Sequence, residues 1–507
     1  MNIIKNLSKK NLAPILSLFV LALFLFYLLN FVFSAGVCCG DDAQHADIAK
    51  NFVYGLGYTT TLQEGETHYQ QYKFDPRIGV GPTVIFPASL LIKLFGNTYW
   101  APGLAHVLVV TILLIILGSL LYENEYSLGI LLATTFFFVL NSSLLSYHFE
   151  LWYALLGEVT AALLILIGIL LYFWQDSSVF NFFSGLAFSL AVNAKLISFL
   201  PFLSFVFTIF IFELLEVKKI GQLDNKRKKV VDFLLIFIGF SLPFILFEAW
   251  KLFSLGLKDY IEYWKKYYYY VSGKGVSQIG LRRIFFRIDS RLDKFHDRFS
   301  ISFISIPLVL YTSWYFLRED DNLRSIYLMI FTIVIIYTAW WFLFSIGWPR
   351  YYAIALILII FVIVLPLLLI ERSKLTLIYI IILMIWSIPS MDRLRYPLSR
   401  INFNFFEPTR NTKDLIEISK KLSTPEKHII LTSWWATAAD IEYMMPAKVN
   451  FTSFKDKHLD HNTYYWIAIN KKFLSNSDEL NKTIGKCKVF REYDRYIVGQ
   501  CLLKDGK

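Results

Sequence analysis

Residues 38–52 read CCGDDAQHADIAKNF, and they follow directly on the apolar run Ala13–Ala35. That run is about 23 residues long, more than the core of a signal peptide and enough for the ~20 residues that cross a bilayer. It predicts a retained membrane anchor. The adjacent carboxylates Asp41 and Asp42 then fall at the lipid boundary, where charge is costly and persists when it serves a cavity.

The rest of the 507-residue chain agrees: 56% of residues are hydrophobic, 18% aromatic and only 18% charged, with a mean hydropathy of +0.51. This predicts a polytopic α-helical membrane protein. A net charge of +11 raises the question of nucleic acid, but no nucleic-acid motif accompanies it. Cytoplasmic loops and contacts with membrane lipids account for such charge more simply. Four cysteines in so long a chain make no disulfide scaffold, and no CxxC pair or Cys/His spacing indicates a metal.

Further apolar runs lie at Tyr99–Leu121, Leu128–Tyr147, Leu151–Trp174, Phe182–Val192, Ile197–Leu215, Val231–Trp250, Ile301–Phe316, Ile326–Phe344, Ala353–Ile370 and Leu375–Ile388. With the first, they predict about eleven spans. Starting from a cytoplasmic N-terminus with Lys5, Lys9 and Lys10, the basic turns at 218–229, 318–324 and 372–374 fall inside. One segment violates this bias. Lys251–Ser300 falls outside yet carries Lys265, Lys266, Arg282, Arg283 and Arg291 beside four consecutive tyrosines, Tyr267 to Tyr270. Either the span count is off by one, or this basic, aromatic loop has a reason to sit at the outer head groups.

The chain divides into a transmembrane part, 1–396, with a first outer loop at 36–98, and a polar C-terminal extracytoplasmic α/β domain, 397–507. In that domain the pattern predicts a helix at 412–422, strands at 428–432 and 464–469, and a terminal hairpin CKVFREYDRYIVGQC. Cys487 and Cys501 are equidistant from Asp494 in this hairpin, which suits either a cross-strand disulfide in an oxidising compartment or two buried thiols.

Isolated ionisable residues gather at outward ends of the spans: Asp41, Asp42, Arg77, His148, Glu150, Glu158, Lys195 and Arg350. Each has an ordinary alternative. Lys195 or Arg350 alone would snorkel to head groups, Asp42 would cap the helix that follows, and His148 would fill the interface. Glu158 is harder to explain away, since it opens an otherwise apolar span. Together the set supplies carboxylates for a base and cations for a phosphate leaving group. Residues 58–72 read as a polar hairpin, and the apolar stretch after Pro82 is too short to span, so the first outer loop should carry an interfacial helix on each side of that hairpin.

In this order the features resemble the GT-C membrane glycosyltransferases, in particular the protein O-mannosyltransferase and aminoarabinose transferase group (glycosyltransferase family 39-like). The likeness covers roughly residues 12–390. DDAQHADIAKNFVYGLGY is similar to the acidic motif after the first span, and FDPRIGVGPTVIFPASLLIKLFG to the basic Gly-Pro segment with its interfacial helix. LGEVTAALLILIGILLYF matches the second acidic position, SGLAFSLAVNAKLISFLP the span ending in Thr-Lys, and WPRYYAIALILIIF the late Arg-Tyr element. The chain departs from the family in having Asp-Asp for Asp-Glu, in Asn193 and Ala194, and in lacking Lys-Pro-Pro near Arg77.

The resemblance implies sugar transfer from a polyprenyl-phosphate donor to a lipid, glycan or protein acceptor on the extracytoplasmic face of a bacterial plasma (inner) membrane, in lipopolysaccharide, other envelope-glycan or protein glycosylation. It casts Asp42, or in second place Asp41, as the base, with Glu158 orienting acceptor or sugar. Arg77, Lys195 and Arg350 would hold the donor phosphate. Tyr267, Arg282 and Arg283 belong to a lid or carrier-docking surface. No cofactor is implied by the residues, and the family leaves a divalent cation open. The rival class is a transporter or flippase of lipid-linked glycans, which would tend to show internal repeats and mid-helix charges; neither is evident here.

Overall fold

The computed structural model describes residues 9–37, 40–64, 68–76, 78–123, 149–174, 177–214, 226–271, 321–345, 347–365, 407–422, 428–431, 439–445, 451–452, 464–470, 487–493 and 496–502, with a few positions between 288 and 318. The expected spans at 128–147 and 375–388, most of the span at 301–316, and Arg77, His148, Arg282 and Arg283 lie outside the described residues.

Helix α1, Lys9–Ala35, is predominantly apolar after its basic start at Lys9 and Lys10. The chain then turns by 83° into α2, Gly40–Val53, so that α2 does not continue the direction of α1. The turn follows from composition: α2 is polar and cannot extend the span into hydrocarbon. Strands β1, Thr59–Glu64, and β2, His68–Lys73, form the expected hairpin, paired from Thr59 with Lys73 to Glu64 with His68. Helix α3, Pro82–Phe95, follows, with proline at its start where a missing N–H is harmless. The segment between the first two long helices is thus a helix, a hairpin and a helix, as its polarity predicts.

Helix α4, Ala101–Glu123, precedes α5, Glu158–Trp174, α6, Ser178–Ala194, and α7, Phe199–Leu214. Helix α5 is apolar on all faces and buried from Glu158 to Leu170, which makes it the centre of the bundle. The expected start of this span at Leu151 is corrected to Glu158: residues 149–152 form a short 3-10 turn and Gly157, at φ 86°, breaks the helix before it. Helix α8 runs over Lys226–Val271 with a break at Gly256. The first twenty residues of the basic segment are therefore helical and continue an apolar helix. Helices α9, Asp321–Leu343, and α10, Pro349–Val364, complete the described bundle.

Among the described residues three helices are long and apolar enough to cross a membrane, or four when the bent α1–α2 pair counts as one span. The chain is an integral membrane protein.

The C-terminal part adds α11, Arg410–Leu422, β3, His428–Leu431, α12, Ala439–Met444, and strands β4, Phe451–Thr452, β5, Tyr464–Asn470, β6, Cys487–Glu492, and β7, Tyr496–Leu502. The sheet order is β4-β3-β5-β7-β6. β3 pairs in parallel with β4 and β5, while β7 is antiparallel to β5 and β6. The hairpin register sets Cys487 opposite Cys501, and Cys487 is disulfide-bonded. Ile418, Leu422, Ile441, Met445, Tyr493, Tyr496 and Val498 form a small separate core.

Candidate active site

Five of the residues singled out by sequence converge. Asp41 and Asp42 occupy the first turn of α2, where the exposed N–H groups favour negative charge. Their surroundings differ. Asp42 is buried at 3% exposure, and its Oδ1 accepts a hydrogen bond from the Leu155 N–H at 2.8 Å. Asp41 is half-buried and pairs through Oδ2 with Nη1 of Arg350. Arg350 is the second residue of α10, and its guanidinium lies 4.7 Å from the Trp348 ring and 5.4 Å from Tyr351.

A second pair lies deeper. Glu158, the first residue of α5, is fully buried and stands 2.8 Å from Nζ of Lys195. The contact is ionic rather than an aligned hydrogen bond, and among the described residues Glu158 Oε2 has no hydrogen-bond partner. Lys195 Nζ also donates to the Leu156 carbonyl at 2.8 Å and sits 5.8 Å from the Tyr351 ring. Tyr351 therefore has a cation of each pair beside its face. The four charged groups belong to one pocket.

Backbone contacts build this pocket. Lys195 ends α6 in extended conformation, φ −150° and ψ 114°. A Cβ added at Gly81 would collide with the Asn193 carbonyl, and one at Gly157 with the Ala194 carbonyl. The starts of α3 and α5 thus press directly on the end of α6, which only glycine permits. Asn193 and Ala194, departures from the family pattern, are the two residues under that contact. Thr83 Oγ1 donates to the Leu190 carbonyl at 2.9 Å and Tyr58 Oη to Val80 O at 2.8 Å, tying α3 and the hairpin to the same place.

The charges act on one another. Burial pushes Asp41 upward, but the positive charges around it, Arg350 first, outweigh it and hold the carboxyl below its usual value. His45, one helical turn beyond Asp41, is buried and lowered to about 3, first by desolvation and then by the positive charge of Lys195. It is a neutral imidazole at physiological pH, and its Nδ1 has no hydrogen-bond partner among the described residues.

Beside the pocket stands an aromatic wall. Trp250 meets Phe74 at 4.9 Å, Tyr58 at 5.8 Å and Phe86 at 5.9 Å, so the end of the apolar half of α8 packs on the hairpin segment. Lys251 is buried there, 2.6 Å from Glu248 and 4.3 Å from the Phe247 ring. Tyr267, from the expected lid, is on the part of α8 beyond Gly256. Arg291 is also internal: it donates to the carbonyls of Phe342, in the last turn of α9, and Ser345, just past it. At least these two cations of the basic segment serve the interior rather than head groups. Glu150 stays in the 3-10 turn before α5.

Sequence reading missed His45, Tyr351, Lys251 and the placement of Arg291. His45 was accessible, since a helix puts residues four apart on one face. The other three depend on packing between distant elements. Among the described residues no group of three or more His, Cys, Asp or Glu is placed to hold a metal ion.

The fold is similar to that of ArnT from Cupriavidus metallidurans bound to undecaprenyl phosphate, with a TM-score of 0.60 and 11% identity over 97% of this chain and 98% of that one. The apo state of the same protein gives a TM-score of 0.56 and 11% identity over 95% and 97%. No family model matches the chain, and comparison with the curated proteins finds no match. At this identity the likeness establishes the fold alone, which this chain shares with ArnT over nearly its whole length.

Proposed function

We propose that this chain is a membrane glycosyltransferase that moves a sugar from a polyprenyl-phosphate donor to a lipid, glycan or protein acceptor at the extracytoplasmic face. The observation that carries the reading is the pocket in which Asp41–Arg350 and Glu158–Lys195 meet around Tyr351, on a fold similar to a protein solved with undecaprenyl phosphate.

Arg350 and Lys195 bind the donor phosphate and stabilise the charge that grows on it as the bond to the sugar breaks, and the sequence makes Arg77 a third candidate for that role. Asp41 takes the proton from the acceptor. We assign the base to Asp41 rather than to Asp42, ranked first from sequence, because Asp41 is the more exposed and Asp42 Oδ1 is held by the Leu155 amide. An incoming phosphate competes for Arg350, and the carboxylate it releases becomes more basic when the acceptor is bound. Glu158 holds Lys195 in place and orients the acceptor or sugar. Tyr267 serves as a docking residue for the carrier, a role the sequence also suggests for Arg282 and Arg283.

The test is to incubate the purified protein with a panel of labelled polyprenyl-phosphate sugars and candidate acceptors. Product formation that requires Asp41 supports the reading. If no donor in the panel is consumed, the reading fails.

A further inference from the structure

Helix α2 carries Asp41, Asp42 and His45, yet it is polar and begins at an 83° turn from its anchor. Something must hold it. At its far end Lys50 is buried at 1% exposure, forms an ion pair with Asp47 Oδ1 at 2.7 Å, and donates to the Glu442 carbonyl and to the Met445 carbonyl at 3.4 Å. Those carbonyls end α12, and cations are favoured at helix C-termini. Asn97, just after α3, donates to the carbonyls of Tyr443 and Met445 at 3.3 and 3.2 Å, and the Tyr443 hydroxyl returns to Thr98 O at 2.7 Å. At the near end, Thr409 N–H donates to Ser34 O at 2.8 Å, and Thr412 Oγ1 to the carbonyls of Ser34 and Ala35 at 3.2 and 3.0 Å. The C-terminal part thus satisfies the last carbonyls of α1 and has its own helix end satisfied by Lys50 and Asn97.

We propose that the C-terminal α/β part is a clamp on the carboxylate helix and that Lys50 is a positioning residue for Asp41. The functional half of this inference rests on the transferase reading above; the geometric half does not. Lys50 touches no substrate. It sets the tilt of α2, and through it the place of the base relative to Arg350 and Lys195.

The experiment uses the full chain in nanodiscs, with spin labels at Y54C and K420C in a C38S/C39S background; both labelled side chains are exposed. K50M is expected to broaden the distance distribution between the labels and to lower kcat by about 10- to 100-fold, as small misplacements of a catalytic group do. The KM for donor should stay within about twofold, and K50R should restore most of the rate, because Arg350 and Lys195 are untouched. Y443F, which loses one hydroxyl, should move both readouts the same way by less and serves if K50M does not fold. A distribution that stays narrow overturns the clamp. Broadening with unchanged kcat, or a matched loss in kcat and donor affinity, overturns the positioning role. A wild-type protein that transfers nothing sinks the transferase reading alone, since the label distances still decide the clamp.

Discussion

The two ion pairs of the pocket use the same chemistry in different surroundings. Asp41 and Arg350 retain 15% and 19% side-chain exposure, whereas Glu158 and Lys195 retain 0% and 8%. A pair that keeps contact with its surroundings can exchange partners when a charged substrate arrives. A sealed pair cannot do so cheaply, because either partner left alone is an uncompensated buried charge. The difference makes the rim pair the one that opens to substrate, while Glu158 stays on Lys195 as that lysine meets the phosphate.

The largest effect should come from the rim. D41N preserves shape and removes the base, so transfer should fall about 100- to 10,000-fold, measured as kcat on labelled donor with expression and melting unchanged. A D41N protein of near wild-type rate would move the base elsewhere.

The sealed pair should respond in stability as well as in rate. E158Q leaves Lys195 as a lone buried cation, and K195M strands Glu158, so each should cost about 3–5 kcal/mol, read as a lower melting temperature in detergent. The double variant E158L/K195M removes both charges and should melt closer to wild type while remaining inactive. Singles that melt like wild type would mean that water reaches the pair and that the contrast with the rim is false.

A smaller effect concerns pH. Burial raises the Asp41 carboxyl and Arg350 is the first of the charges that lower it, so removing Arg350 must shift it upward. The acid limb of kcat/KM, which reports the free enzyme, lies below the ordinary carboxylate range in the wild type and should move to higher pH in R350M. The activity is present above the limb and lost as pH falls through it. The smallest change is expected at His45, whose imidazole is neutral down to about pH 3. H45Q should leave the shape of the profile between pH 5 and 8 intact, and a limb near 6.5 that vanishes in H45Q would contradict the burial seen here.

Much of the architecture was legible because lipid imposes simple length and polarity rules. The apolar run to Ala35, the polar α2, the hairpin and the short α3 each follow from how many consecutive residues tolerate hydrocarbon. The strands at 428–431 and 464–470 and the cysteine hairpin were legible from their own local patterns. Two boundaries were not. The apolar residues 151–156 read as helix, yet the Leu155 amide is spent on Asp42 and the helix waits for Gly157 to turn. The segment after Lys251 read as a loop because it is basic, yet it continues α8 as helix to Val271, with its buried lysine paired to Glu248.

By itself the sequence determined which charges are exceptional: a carboxylate or cation at the end of an apolar run stands out wherever it occurs, because its cost depends on local composition alone. Only the tertiary structure decided who pairs with whom. Asp41 and Arg350 are 309 residues apart, and Lys50 reaches a carbonyl 392 residues away. Nothing local separates Asp41 from Asp42, or a lysine that caps a distant helix from one that meets a phosphate. Those distinctions arise when α2, α5, α6 and α10 close on one another and exclude water, since burial and distance, not residue type, set how each charge behaves.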